Sequence, residues 1–121
     1  MTIAEVSKEF SLSSDTLRYY EKIGLIPPIH KNKSGIRDYQ EEDLKWIQFV
    51  KCMRSAGLPI EVLLEYMDLY RQGDTTYCAR QQLLEEQRDR LIKRIEEMND
   101  TLDKLNYKIE RYKNMAMKGQ L

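Results

Sequence analysis

The 121-residue sequence lacks the features that mark a membrane protein. It contains no apolar run approaching the roughly 18 residues that a transmembrane helix needs. Its first residues, Met1 to Glu5, do not follow the basic and then apolar layout of a signal peptide. We therefore expect a cytoplasmic protein with no membrane partner.

Histidine and cysteine are also scarce, with one histidine, His30, and two cysteines, Cys52 and Cys78. Two distant cysteines are too few for a disulfide framework, so we expect free thiols. No histidine accompanies a nucleophile in the sequence, and no glycine-rich phosphate loop is present. The sequence predicts a protein that is not an enzyme, with no cofactor and no resident metal.

The formal net charge is zero, but the charges are unevenly distributed. Residues 16–37 contain one acid, Glu21, among five cations, whereas residues 38–74 carry eight acids against four cations. A basic stretch in an otherwise acidic domain favours a polyanionic partner such as nucleic acid. Overall neutrality therefore does not exclude DNA binding.

Two short helices are predicted at the start of the chain. Thr2 and Glu5 have the spacing of a capping box before the first helix. Ser13 is an N-cap for a second helix over Ser14–Ile23, and Gly24 suits a left-handed C-cap. Two helices separated by so short a turn indicate a helix-turn-helix.

Residues 26–39 are predicted to form a small two-stranded wing. Pro27-Pro28 favours extended backbone, and Asn32 to Gly35 has the composition of a turn. Ile36 to Tyr39 then alternates in character as a short strand does. This arrangement places basic residues near the tip of the wing.

Two further helices are expected before residue 72. Glu41 to Asp43 suit the start of the third helix, Gly57 follows its end, and Pro59 opens the fourth. The predicted apolar arc of the third helix contains Leu44, Trp46, Phe49, Val50, Met53 and Ala56. We expect residues 1–72 to form one small domain.

Residues 73–121 are predicted to form a coiled-coil dimerisation helix. From Thr75 to Met117 there is neither glycine nor proline. One series recurs every seven residues and a second lies four residues after its later members: Tyr77, Leu84, Leu91, Met98, Leu105 and Tyr112, and then Ile95, Leu102, Ile109 and Ala116. These are the two seams of a coiled coil, which favour a homodimer. The alternative is a helix folded back on its own domain.

The segment Asp15–Pro28 resembles the recognition helix of the MerR family of bacterial transcription regulators. The resemblance implies a mainly α fold, with a winged helix-turn-helix domain followed by an antiparallel coiled coil. It also implies a homodimer that binds double-stranded promoter DNA at a palindrome and distorts it for RNA polymerase.

Seven residues match family positions that contact DNA. The resemblance implies that the second helix enters the major groove and that Lys33 and Arg37 touch the phosphate backbone, while Tyr39 falls in the family's arginine-x-tyrosine wing motif. The seven are Thr16, Arg18, Tyr19 and Tyr20 in the helix, and Lys33, Arg37 and Tyr39 in the wing. Tyr20 has the alternative of packing internally.

Cys52 is the candidate effector-sensing residue. Lys51 and Arg54 adjoin it, and nearby cations can make a thiol reactive. The sequence from Lys51 to Gly57 resembles the NmlR/AdhR-like branch, whose members regulate thiol, aldehyde and nitrosative-stress genes and for which a cysteine here is the proposed sensor. The alternatives are a constitutive or architectural DNA-binding protein with structural thiols, a metal sensor using Cys52 and Cys78, or a coiled-coil adaptor that binds protein.

Overall fold

The computed structural model describes residues 1–118, which are mainly helical. The first four helices are α1 (Ile3–Phe10), α2 (Ser14–Ile23), α3 (Glu41–Ser55) and α4 (Ile60–Gln72). A 3₁₀ turn over Asp74–Thr76 leads into α5 (Tyr77–Met117), which is 41 residues long. The mainly α class that the sequence predicted is confirmed.

The helix boundaries follow from local capping. The Thr2 hydroxyl accepts a hydrogen bond from the Glu5 amide (3.2 Å), and the Glu5 carboxylate accepts one from the Thr2 amide (2.9 Å). At α2 the Ser13 hydroxyl accepts from the Thr16 amide (3.0 Å), and Gly24 ends the helix at φ 84°. That value of φ strains a residue with a Cβ, so glycine is strongly favoured there.

The core joins α1 and α2 to α3 and α4. Its completely buried members include Val6 and Leu17 from the helix-turn-helix and Ile47 from α3. Ile47 was missing from the apolar arc that we predicted for α3. It lies one turn before Val50, which is also buried, and one turn after Leu44, so it falls within the predicted arc.

The wing differs from its prediction. Instead of two strands, residues 26–39 contain one isolated antiparallel bridge, between Lys31 and Arg37. The turn is held by the Asn32 side chain, which accepts from the amides of Ser34 (2.9 Å) and Ile36 (3.1 Å). The Pro27-Pro28 pair supplies no amide donors, so this side of the wing cannot extend the ladder.

The contacts between residues divide the chain into Met1–Leu83 and a second unit that begins at Leu84. The second unit consists of the remainder of α5. The functional boundary between residues 72 and 73 stays a prediction. Members of both predicted seams are exposed along this part of α5: Ile95 is 49%, Leu102 52%, Leu105 56% and Ile109 50% exposed, whereas Leu91 is half-buried.

Candidate nucleic-acid interface

The outward face of α2 carries the predicted base-contacting residues. Arg18 and Tyr19 are exposed and Thr16 is half-buried, whereas Leu17 on the opposite face is completely buried. The Ser13 cap orients the first turn, and its hydroxyl also lies 2.8 Å from the Thr16 hydroxyl. A helix with a polar, aromatic and cationic outer face can both pair with phosphates and reach base edges.

Arg18 pairs with Asp15 through an Nη1–Oδ1 contact of 3.2 Å. The Asp15 side chain is 97% exposed and that of Arg18 49%, so solvent screens the attraction. Such an exposed pair is worth at most about 1 kcal/mol. The guanidinium can therefore leave Asp15 for a DNA base or phosphate at little cost.

The two basic side chains of the wing differ in exposure and in hydrogen bonding. Lys33 lies exposed at its tip. Arg37 is half-buried and donates from Nε to Glu21 Oε1 of α2 (2.8 Å), and this bond raises the pKa of Arg37. The other Glu21 oxygen accepts from the Ile29 amide (3.3 Å). Arg37 thus fastens the wing to α2.

Tyr20 and Tyr39 are placed in the core. Tyr20 is 8% and Tyr39 2% exposed, and burial raises the pKa of Tyr39. Among the described residues the Tyr39 hydroxyl has no hydrogen-bond partner. DNA contact by either tyrosine stays a prediction. Their burial distinguishes both from Arg18, Tyr19 and Lys33, which are exposed.

Sequence reasoning missed Glu21, which holds the wing against α2. Glu21 was counted only as the one acid in a basic stretch. It lies 16 positions before Arg37. A signal was nevertheless present, since a single acid among five cations is a candidate internal partner.

Cys52 is exposed on α3, and Cys78 is exposed near the start of α5. The cations beside Cys52 are engaged elsewhere: Lys51 donates to the Phe10 carbonyl (2.5 Å) and Arg54 to the Leu58 carbonyl (2.8 Å). Residues 1–118 contain no group of three or more histidine, cysteine or acidic side chains placed to hold a metal ion. None of their helices is both long and apolar enough to cross a membrane.

Comparison with known proteins identifies the class. Residues 1–69 match the family model for MerR HTH family regulatory proteins, and residues 44–107 match that for MerR, DNA binding. The chain belongs to the MerR family of DNA-binding transcriptional regulators. This confirms the predicted family and the prediction of a regulator rather than an enzyme.

Particular relatives place the chain more narrowly. It is 59% identical over 92 residues to the HTH-type transcriptional regulator AdhR of Bacillus subtilis, across 76% of this chain and 66% of AdhR. This identity supports the AdhR/NmlR-like branch. A MerR family regulator from Listeria monocytogenes has 48% identity and a TM-score of 0.93, with 99% of this chain and 91% of that chain covered.

A further solved structure contains DNA. HiNmlR, a MerR family regulator that lacks the sensor domain, was crystallised bound to promoter DNA. It is 29% identical to this chain with a TM-score of 0.84, and the match covers 93% of this chain and 90% of that one. The likeness extends over nearly the whole of both chains.

Glu21→Gln is expected to reduce discrimination between a selected cognate duplex and random DNA. The wing loses an ion-paired bond on the order of 1 kcal/mol, while the surface loses a negative charge that repels phosphates. Cognate affinity should fall and affinity for random duplex should stay level or rise. Titrations at matched salt measure both, with Glu61→Gln, an exposed acid on α4, as the control. An equal loss on both duplexes would contradict this role for Glu21.

Proposed function

We propose that the protein is a homodimeric regulator that binds a palindromic promoter and distorts it, and that it responds to thiol-reactive electrophiles through Cys52. The observation that carries the sensing part is the exposure of the Cys52 thiol on α3 of a chain in the AdhR/NmlR-like branch. The exposed seams of α5 support the dimer.

In this proposal α2 enters the major groove, where Arg18, Tyr19 and Thr16 reach bases and phosphates. Lys33 contacts the phosphate backbone from the wing, and Arg37 positions the wing through Glu21. Tyr20 and Tyr39 support the surface from beneath, where they are buried. The promoter-bound crystal form of HiNmlR supports a duplex as the partner.

The coiled coil supplies the second DNA-binding domain. Two α5 helices paired antiparallel through their seams would hold two recognition helices at a fixed spacing, which a palindromic site matches. Distortion of the DNA between the half-sites costs energy that the protein contacts offset. RNA polymerase is the proposed partner that uses the distorted promoter.

The chemical step at Cys52 is an addition. For an aldehyde, the Cys52 sulfur bonds to the carbonyl carbon, the carbonyl π electrons move to oxygen, and that oxygen takes up the proton that the thiol gives up, with water as the carrier. The product is a hemithioacetal, and its formation is reversible. It changes the size and polarity of one side chain on α3, which can bias the dimer between two DNA-bound shapes.

The test is promoter transcription by wild type, Cys52→Ser and Cys78→Ser, each with and without formaldehyde. We expect induction by wild type and by Cys78→Ser, and a flat response from Cys52→Ser. Because both cysteines are exposed, Cys78→Ser is a matched control for the loss of a thiol. Induction of Cys52→Ser equal to wild type would remove Cys52 as the sensor. A wild type that binds its promoter but ignores every electrophile would favour the constitutive alternative.

A further inference from the structure

The C-terminal end of α4 is bonded directly to the end of α2. Arg71 donates from Nη2 to the Gly24 carbonyl oxygen at 2.7 Å, across 47 positions of sequence. A Cβ at Gly24 would lie 3.4 Å from the same guanidinium. A cation at a helix C-terminus satisfies a carbonyl that the helix leaves unpaired and complements the helix dipole. Arg71 therefore helps to fix where α2 ends.

A second arginine, Arg80 at the start of α5, forms hydrogen bonds at the same end of α4. Arg80 donates from Nη2 to the Gly73 carbonyl (2.7 Å) and from Nε to the Thr76 hydroxyl (2.9 Å). Its guanidinium also lies over the rings of Tyr70 and Tyr77, 5.2 and 4.8 Å from their centroids. A planar guanidinium can form hydrogen bonds in its plane and stack on its faces at the same time.

The turn between α4 and α5 is held by several hydrogen bonds. The Thr76 side chain is buried, and its hydroxyl lies 2.6 Å from the Leu69 carbonyl and 2.8 Å from that of Gly73. The path of the chain from α4 into α5 is thus fixed by polar bonds on both sides of Gly73. A displacement of the first turn of α5 has to move the last turn of α4 as well.

We propose that Arg71 is a positioning residue for the recognition helix and that it forms a mechanical link with Arg80. A change in the path of α5 at Arg80 passes through the last turn of α4 to Arg71, and from Arg71 to the end of α2. Coupling of this kind travels through packed elements and hydrogen bonds rather than through a contact with DNA. Its effect on binding rests on the proposed function, in which α2 is the element that enters the groove.

The link is tested first in the 121-residue chain without DNA, by amide chemical shifts. The Leu25 amide shares a peptide group with the Gly24 carbonyl, so its shift reports the bond from Arg71. Arg80→Lys keeps the charge and removes the planar fork. We expect it to shift the Leu25 amide in the wild-type background and not in the Arg71→Gln background. Arg90→Lys, an exposed arginine on α5, is the control.

Two outcomes of this experiment overturn the link. If Arg80→Lys changes the chemical shift of the Leu25 amide no more than Arg90→Lys does, α5 and the end of α2 are not coupled. If it shifts that amide equally with and without Arg71, the effect travels by another route. Neither outcome depends on the proposed role of α2 in the major groove, which is contradicted instead if Arg18→Ala binds the selected duplex as tightly as wild type.

A salt titration separates positioning from direct contact, because Arg71 is itself exposed. The probe is a duplex selected from a random pool with the wild-type protein. Arg71→Gln should lower affinity about tenfold, because without this bond the end of α2 has to be ordered when DNA binds, at about the cost of one hydrogen bond to a charged group. The slope of log K against log salt should not change. A slope reduced by about 1 makes Arg71 a phosphate contact and overturns the assignment.

The conservative variant Arg71→Lys guards against a simple folding defect. It keeps the positive charge beside the Gly24 carbonyl and should recover part of the affinity lost in Arg71→Gln. Circular dichroism melts establish that both variants are folded at the assay temperature. Full wild-type affinity in a folded Arg71→Gln would also overturn the positioning role.

Discussion

We expect Leu102→Asp to convert the protein into a monomer and to remove tight binding to a palindromic duplex. Leu102 lies in the second seam of α5 and is 52% exposed in the single chain, so the substitution leaves the fold of Met1–Leu83 intact. In the proposed dimer it loses about 1–2 kcal/mol of apolar burial in each chain. It also places two carboxylates in an apolar interface, at several kcal/mol each.

Together these losses should raise the Kd of the dimer by roughly a thousandfold or more. Sedimentation equilibrium measures the Kd, and gel-shift titration measures binding to the palindrome and to a single half-site. Asn114→Asp adds the same charge on the exposed outer face of α5 and should stay dimeric. A Leu102→Asp protein that remains dimeric would support the alternative in which the helix packs elsewhere.

Arg18→Ala is expected to weaken binding to the selected cognate duplex by about 10- to 100-fold, the size of one good base contact. Random duplex should lose much less, since it offers Arg18 no matched base edge. The free protein is little affected because the Arg18–Asp15 pair is exposed and weak. Fluorescence anisotropy titrations at fixed salt with both duplexes measure the difference.

Lys33→Ala provides the contrast, since an exposed lysine at the wing tip is suited to phosphate. It should weaken cognate and random duplex alike and reduce the salt slope by about 1. Lys104→Ala, on the outer face of α5, is the matched control for the loss of a lysine. If Arg18→Ala and Lys33→Ala reduce binding to both duplexes equally, the division between base contact and phosphate contact is wrong.

Local signals predicted much of the fold. The limits of α2 follow from Ser13 and Gly24, which act within one turn of the helix that they bound. The heptad series in α5 likewise depends only on spacing along one helix, and its pairing with a second chain stays a prediction. Such features depend on neighbours in sequence, and composition and spacing are sufficient to find them.

Contacts between distant parts of the chain were not predicted. The bond from Arg71 to Gly24 and that from Arg37 to Glu21 join elements whose approach depends on the whole core. The burial of Tyr39 depends in the same way on where α2 and α3 leave space. The sequence shows that Arg37 is a basic residue of the wing. Only the packed structure shows that its guanidinium is already paired with Glu21.

The bare apolar stripe on α5 has a consequence for newly made chains. An isolated helix gains little stability from its own backbone, so in the proposed dimer this segment takes most of its stability from its partner. In the proposed dimer the stability of the coiled coil therefore rises with the concentration of the protein itself. In an unpaired chain α5 is the least stable segment and is accessible to proteases. Proteolysis should therefore remove single chains faster than dimers. The same stripe that would join two chains would thus limit how long one chain survives alone.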